Sequence, residues 1–308
     1  MRGEKGFALV TTLIVTALMV AVLVEMVHQV SVDVSLSRGY RDGQQASLLA
    51  ESGVTGGTKL LQLALQGKEF TALSDLWAAP FKLDDETGSI EVSIVEENGR
   101  ICINDLVQPN GEFEPFTAAA LKRLGKGLKI PEELWNTLAD WIDSDGSPRS
   151  GGAETPYYQT LKPPYAAHNA RLSTIAELSL VRDGTPEGIA ALRPFVTIHA
   201  AQPGAPFSQV NINTASKEVL SALDEGVDNR MAERILEERR LKPFNTPGEL
   251  SRIAGGETIS QRLAGKISVK GNLYRIISVA RVKETARTVE VVVRMSAGTP
   301  EMLSWQEY

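Results

Sequence analysis

Residues 1–24 read MRGEKG-FALVTTLIVTALMVAVLV. The chemistry changes abruptly between Gly6 and Phe7: a short basic leader gives way to a run from Phe7 to Val24 that carries no charge. At ~1.5 Å per residue that run makes a helix of roughly 27 Å, close to the ~30 Å of a bilayer core. It is longer than the apolar core of a secretory signal, about 7–15 residues, and no small-residue exit site follows it. Instead the chain continues through Glu25-Met26-Val27-His28. Two readings remain: a plain N-terminal anchor, or a leader removed between Gly6 and Phe7 so that the apolar run stays on the mature chain.

The first proline is Pro80, so nothing as disruptive as proline interrupts a helix before it. Glycines at 39, 43, 53, 56, 57 and 67 weaken such a helix without forbidding it. A helix is expected from about Phe7 to about Leu65. Its first third is apolar all round. Further on, Val27, Val30, Val34, Leu48, Leu49, Leu60, Leu61 and Leu65 are expected to line one side. The Lys5-Gly6-Phe7 leader resembles that of the type IV prepilin class. That resemblance implies cutting by a prepilin peptidase at Gly6–Phe7 and N-methylation of Phe7. The class usually carries a Glu at the fifth mature position, thought to pair with the amine of the neighbouring subunit; here Thr11 stands there. A subunit without that carboxylate needs no amine ahead of it and fits a filament end. Alternatively, Thr11 merely suits a helix-packing surface.

The chain has 308 residues and a formal net charge of −6, room for one large or two medium domains beyond the stem. The acidic balance argues against nucleic acid as the main partner, because phosphate binding draws on Lys and Arg. Cys102 is the single cysteine, so no intramolecular disulfide can form, and its setting Arg100-Ile101-Cys102-Ile103 reads as a buried strand. His28, His168 and His199 are too scattered for an HExxH-type metal site. Arg2 and Lys5 precede the apolar run, which places the N-terminus in the cytoplasm and the bulk across the membrane.

Ser89–Val95 alternates at period two, Glu96-Glu97-Asn98-Gly99 reads as a hairpin turn, and Arg100–Ile103 as the returning strand. Helix is expected over Glu114–Trp141 with Pro131 at a helix start, over Leu172–Arg182, and from a cap at Asn211–Ser216 to about Ile267. Arg193–His199 is a short strand candidate. Tyr274–Lys283 and Thr288–Met295 are long strands joined through Glu284-Thr285-Ala286-Arg287. Strands thus flank a helical block. The expected class is α+β: an N-terminal α-helix packed on a small antiparallel sheet, with a large inserted α-helical domain. The expected units are a leader at 1–6, a membrane or filament-core helix at 7–24, a sheet domain at 25–105 and 271–308, and an insert at 106–270.

The densest polar cluster is Asp140-Trp141-Ile142-Asp143-Ser144-Asp145-Gly146, followed by Arg149 and Gly151-Gly152-Ala153-Glu154. Alternate carboxylates with a turn glycine suit Ca²⁺, which takes six to eight oxygen ligands in flexible geometry. The position-five ligand and terminal Glu of an EF-hand are missing, so a strict EF-hand is rejected; a solvated turn is the other reading. The block DWIDSDGSPRSGGAETPYY, then LKPPYAAHNARLSTIAELSLVRD, resembles the general secretion pathway protein K family, the large minor pseudopilins of the type II secretion system. That resemblance implies a sheet domain like that of pilins and a helical insertion that binds calcium; no enzymatic activity is expected. Asp143, Asp145 and Glu154 are the first-choice ligands, with Asp140 and Asn169 as further members or supports.

Residues 210–253, with Val210-Asn211-Ile212-Asn213-Thr214-Ala215 and Gly226-Val227, resemble the helix-hairpin-helix modules that grip DNA phosphates. Asp228 follows the hairpin and would repel phosphate, so a packing scaffold is expected and nucleic acid is not. No nucleophile-elbow or P-loop pattern occurs. The function expected is that of a minor pseudopilin capping a periplasmic pseudopilus and helping start its assembly. Its partners would be other minor pseudopilins, the major pseudopilin, the inner membrane and the prepilin peptidase. The alternatives are a membrane-anchored periplasmic calcium-binding enzyme and a DNA-binding pilus component.

Overall fold

The structure, a computed structural model, describes residues 3–296 and 299–308, with residues 3–6 described by backbone alone. Met1 and Arg2 of the leader lie outside the described residues. In chain order the elements are α1 (Gly3–Ala64), β1 (Phe81–Asp85), β2 (Gly88–Glu96), β3 (Ile101–Cys102), α2 (Pro115–Leu128), α3 (Glu133–Ile142), α4 (Thr155–Tyr158), α5 (Pro186–Leu192), β4 (Val196–Thr197), β5 (Val210–Asn211), α6 (Lys217–Leu223), α7 (Asn229–Leu241), α8 (Gly256–Arg262), β6 (Ile267–Ser268), β7 (Leu273–Val282), β8 (Thr285–Ser296) and β9 (Thr299–Glu307).

α1 is two structures in one. From Phe7 to Arg41 every residue is exposed. Its threonine hydroxyls there turn inward on their own helix: Thr11 Oγ1 donates to the Phe7 carbonyl at 2.9 Å and Thr16 Oγ1 to that of Thr12 at 2.7 Å. Polar groups satisfied this way can sit in an apolar surrounding without a partner. From Asp42 onward the helix lies on the sheet, burying Ala46, Ala50, Val54 and Leu61. The contact is close because two glycines carry no side chain. A Cβ on Gly53 would stand 2.1 Å from Ser278 Oγ, and one on Gly57 3.0 Å from Ile276 Cγ2. These glycines, read above as weak points, are the contact itself. The expected apolar side is corrected in part: Leu48 faces solvent, Val27, Val30 and Val34 are exposed, and Leu49, Leu60 and Leu65 only flank the core.

The main sheet is antiparallel in the order β1-β2-β7-β8-β9. The fold is therefore α+β, and strands from before and after the helical block are neighbours: Ile94 lies opposite Ile276 and Glu96 opposite Tyr274. β2 advances in the same direction as α1, since Gly88 meets Leu49, Gly53 meets Ile90 and Gly57 meets Ile94. The block between β2 and β7 consequently leaves the sheet at the end farthest from the apolar run. It holds its own core around Leu121, Leu138, Trp135, Tyr158, Leu220 and Phe244, separate from the core beneath α1.

The expected hairpin at Glu96–Gly99 does not form. Glu97–Gly99 is a 3-10 turn, and Ile101–Cys102 pairs in parallel with Val196–Thr197. Long-range partners override the local Asn-Gly signal. The Glu97 carboxylate is fully buried between Arg275 at 2.9 Å and Arg100 at 2.8 Å, and Asn98 Oδ1 accepts from the backbone of Asn272 and Leu273. The partner of β2 on its other side is β1, closed by Asp85 accepting from the backbone of Thr87 and Gly88. The β7–β8 turn is tighter than expected, with Val282 opposite Thr285 and Lys283 at φ 53°. Lys283 reaches back to Asp42 of α1 at 2.8 Å.

Within the block, Glu114 caps α2 by accepting from the backbone of Phe116 and Thr117, and Pro115 opens the helix. The expected helix over Glu114–Trp141 breaks at Lys129, at φ 59°, just before Ile130-Pro131. Leu172–Arg182 shortens to a 3-10 turn at Ile175–Ser179, with a capping box between Thr174 and Glu177. Ser216 caps α6 through Val219 N–H.

Glu96 closes the junction. Its buried carboxyl accepts from Thr71 Oγ1 at 2.6 Å, Asn211 Nδ2 at 2.7 Å and Thr214 Oγ1 at 2.9 Å, so the stem's exit loop, the sheet and the block share one group. Burial raises its pKa above the ordinary carboxylate value, against the lowering effect of these donors. The folded chain therefore keeps a proton that the unfolded chain releases, and stability falls as pH rises from the ordinary value of 4.5 through the raised one. The slope has a ceiling of about 1.4 kcal/mol per pH unit for one proton. Glu96→Gln should flatten that fall, read as urea midpoints across pH; parallel profiles for the two proteins would refute it.

Candidate metal centre

The acidic loop begins at the end of α3, where Asp140 occupies the last turn and Asp143 is the C-cap, and it ends at Glu154, the residue before α4. Asp145 is exposed and turns the chain by accepting from Ser147 N–H at 2.8 Å. Gly152 is required by the approach of Asp140: a Cβ there would lie 1.8 Å from Asp140 Oδ2. This fold of the loop brings Asp143, Asp145 and Glu154 together, with one carboxylate oxygen of each within 4.8 Å of the others.

Asp143 and Glu154 are 5% and 3% exposed. Asp143 Oδ1 and both Glu154 oxygens are buried without a hydrogen-bond partner. Orphaned buried carboxylate oxygens are costly unless something positive joins them. Burial, then the charges of Asp140, Asp143 and Asp145, push the Glu154 carboxyl up to about 7. The donors are oxygens of hard carboxylates on a flexible loop, and no His or Cys is among them. The set fits Ca²⁺ in donor type and charge and does not resemble a zinc or copper site.

Asp140 is engaged elsewhere. Arg149 Nη1 bonds Asp140 Oδ1 at 2.6 Å and Asp143 Oδ2 at 2.5 Å, and Arg149 N–H also donates to Asp140. Burial holds Asp140 above its ordinary pKa in spite of Arg149. Asn169, at φ 50°, donates its backbone N–H to the Trp141 carbonyl at 2.9 Å, which pins the far end of the segment to α3. Behind the loop, the Gly-, Pro- and Tyr-rich segment supplies a packed aromatic wall. Trp141 meets Tyr158 edge-on at 5.0 Å, and Tyr158 stacks on Tyr165 at 5.2 Å. Sequence spacing did not reveal that wall, since its members fall on one helix end, one short turn and a loop.

The segment resembling a helix-hairpin-helix module folds as α6 and α7 around Asp224–Asp228. Its hairpin donors are answered from within the chain: Gly226 N–H bonds Asp224 Oδ1 at 2.8 Å, and Met231 N–H bonds Asp228 Oδ1 at 2.7 Å. Arg262 covers Gly226 and pairs with Asp224 at 2.7 Å. Arg239 turns inward to the Ile212 and Ala215 carbonyls. Two acidic side chains thus stand where a phosphate would have to enter.

A long helix with an apolar N-terminal part laid on an antiparallel sheet, and a helical block let in between neighbouring strands, defines a pilin-like subunit with an insertion. The chain matches family models described as type II secretion system (T2SS), protein K, over residues 99–201 and 210–270. It is 32% identical to the type II secretion system protein K of Pseudomonas aeruginosa, covering 82% of this chain and 77% of that one. It is 28% identical to that of Aeromonas hydrophila, covering 95% and 94%. Among solved structures it is similar, at a TM-score of 0.73 and 23% identity, to a chain of the GspK-GspI-GspJ complex of enterotoxigenic Escherichia coli, covering 88% of this chain and 99% of that one. The chain belongs to the type II secretion system protein K family.

Proposed function

We propose that this chain is a minor pseudopilin that caps the tip of the periplasmic pseudopilus, helps start its assembly, and carries calcium in its acidic loop. The observation that carries the assembly reading is α1. Among the described residues it is the one helix long and apolar enough to cross a membrane; its most apolar stretch of 18 residues has a mean hydropathy of 2.7 and is wholly exposed. Such a surface needs lipid first and other helices afterwards. The charge pattern of the leader favours a cytoplasmic N-terminus and a periplasmic head. The GspK-GspI-GspJ assembly of the solved relative supports other minor pseudopilins as partners, and the major pseudopilin would follow beneath them.

Two features favour the end of the filament. Thr11 satisfies its own hydroxyl and leaves no carboxylate awaiting a neighbour's amine. The helical block sits at the end of the sheet away from the apolar run, where it crowns the stem and would obstruct a subunit stacked above it. The role is structural. The buried Cys102 thiol is pushed up by burial, so it is no nucleophile.

In this reading the prepilin peptidase cuts between Gly6 and Phe7 and Phe7 is N-methylated. N-terminal sequencing of the mature protein should begin at Phe7; a chain that still starts at Met1 would contradict the processing. For the metal, Asp143, Asp145 and Glu154 would be the ligands, Asp140 a support through Arg149, and Asn169 a further member or a support through its bond to the Trp141 carbonyl. Calcium that binds only the folded chain stabilises it by about 2.7 kcal/mol at a hundredfold excess over Kd. Asp143→Ala with Asp145→Ala should remove most of the calcium-dependent rise in melting temperature. A double variant that keeps the full rise places the site elsewhere.

A further inference from the structure

The acidic loop touches a second, distant loop. Arg149 bonds Asp140 and Asp143 through Nη1, and through Nη2 it bonds the carbonyl of Gly111. Its guanidinium also packs over the Phe113 ring at 5.0 Å. The 108–113 loop is a compact unit: Gln108 N–H donates to Glu112 O, Gly111 N–H to Gln108 O, and Val107 bridges to Phe113. It leads directly into Glu114, the cap of α2. Gly111, at φ 84°, lies so near the acidic loop that a Cβ on it would stand 3.3 Å from Asp145 Oδ2.

Charge explains why an arginine stands here. Asp143, Asp145 and Glu154 converge, and Arg149 is the cation bonded to Asp143 and to Asp140 beside it. The arginine takes Asp140 and one oxygen of Asp143, and leaves Asp143 Oδ1 and both Glu154 oxygens open. Asp143 is therefore shared: one oxygen is held by Arg149 and the other is buried without a partner, and a carboxylate oxygen of Asp143 lies within 4.8 Å of one of Glu154. Whatever orders Asp143 orders Arg149, and Arg149 has a fixed fork with which to hold Gly111 and Phe113.

We infer that Arg149 is a positioning residue that couples cation occupancy of the acidic loop to the 108–113 loop and the start of α2. The inference rests on the calcium reading above. A lysine at 149 would keep one positive charge beside Asp140 and Asp143, but its single ammonium could not serve them and the Gly111 carbonyl together.

The test is hydrogen exchange on the full-length protein in detergent, with calcium and with chelator, for the wild type, Arg149→Lys and Arg149→Met, alongside calcium titration by calorimetry. In the wild type, calcium should slow exchange both at 143–154 and at 108–113. In both variants calcium should still bind and protect 143–154, while the response at 108–113 is lost. Arg149→Lys keeps the test decisive if the methionine variant does not fold. A response at 108–113 that survives in the lysine variant would show that the loops communicate through Asp145 against Gly111, and the role given to Arg149 would be wrong. A wild type protected at 143–154 alone would refute the coupling and leave the calcium site standing. A wild type with no calcium response at 143–154 would overturn both.

Discussion

The ladder between β2 and β7 is the constraint on which the rest depends. It joins a strand before the helical block to one after it, with Ser89 opposite Arg281 at one end and Glu96 opposite Tyr274 at the other. Closing a long loop costs little more than closing a short one, about 0.6 kcal/mol per doubling of length. The greater requirement is that the block's two ends emerge side by side. They do so because Glu96, Glu97 and Asn98 are each held at the exit: Glu96 by Thr71, Asn211 and Thr214, Glu97 by Arg275 and Arg100, and Asn98 by the backbone at Asn272 and Leu273. For the buried Glu97 ion pairs, removing one partner is far more damaging than the net contribution of the pair.

From that junction the functional layout follows. α1 lies along the sheet with glycines at the closest approach, so stem and sheet form one unit. The block is carried to the end opposite the apolar run, and the acidic loop lies inside the block. Its aromatic backing and the Arg149 bridge fix the carboxylates without neutralising them all. Three unpartnered buried oxygens on Asp143 and Glu154, beside the exposed carboxylate of Asp145, are an arrangement that folding alone would not favour. That is the physical reason to read the loop as a cation site rather than as a solvated turn.

The stem was legible in the sequence because composition alone decides it: an apolar run with no proline before Pro80 has few alternatives. β7 and β8 were legible from alternation, since the sheet buries every second residue of β7. β1 and β9 were not. They are edge strands, with Leu83 and Asp84 on one and Met302 and Trp305 on the other exposed, so burial imposes no period on them. The Asn98-Gly99 turn was misread because its side chains are recruited by residues far along the chain. At the site, the spacing of Asp143 and Asp145 was informative, whereas Glu154 came with the family resemblance. The bond from Arg149 to Gly111, across 38 positions, leaves no local pattern to read.

In the proposed role this subunit is the end of a filament, because its block would crown the stem and its helix has Thr11 in place of a carboxylate that awaits a neighbour. The most direct measurement is the position of the protein, labelled on its head, in isolated pseudopili or their assembled complexes. The account predicts label at one end of each filament, in a single copy. Label at regular intervals along the shaft would make this chain an ordinary repeating subunit and would contradict it.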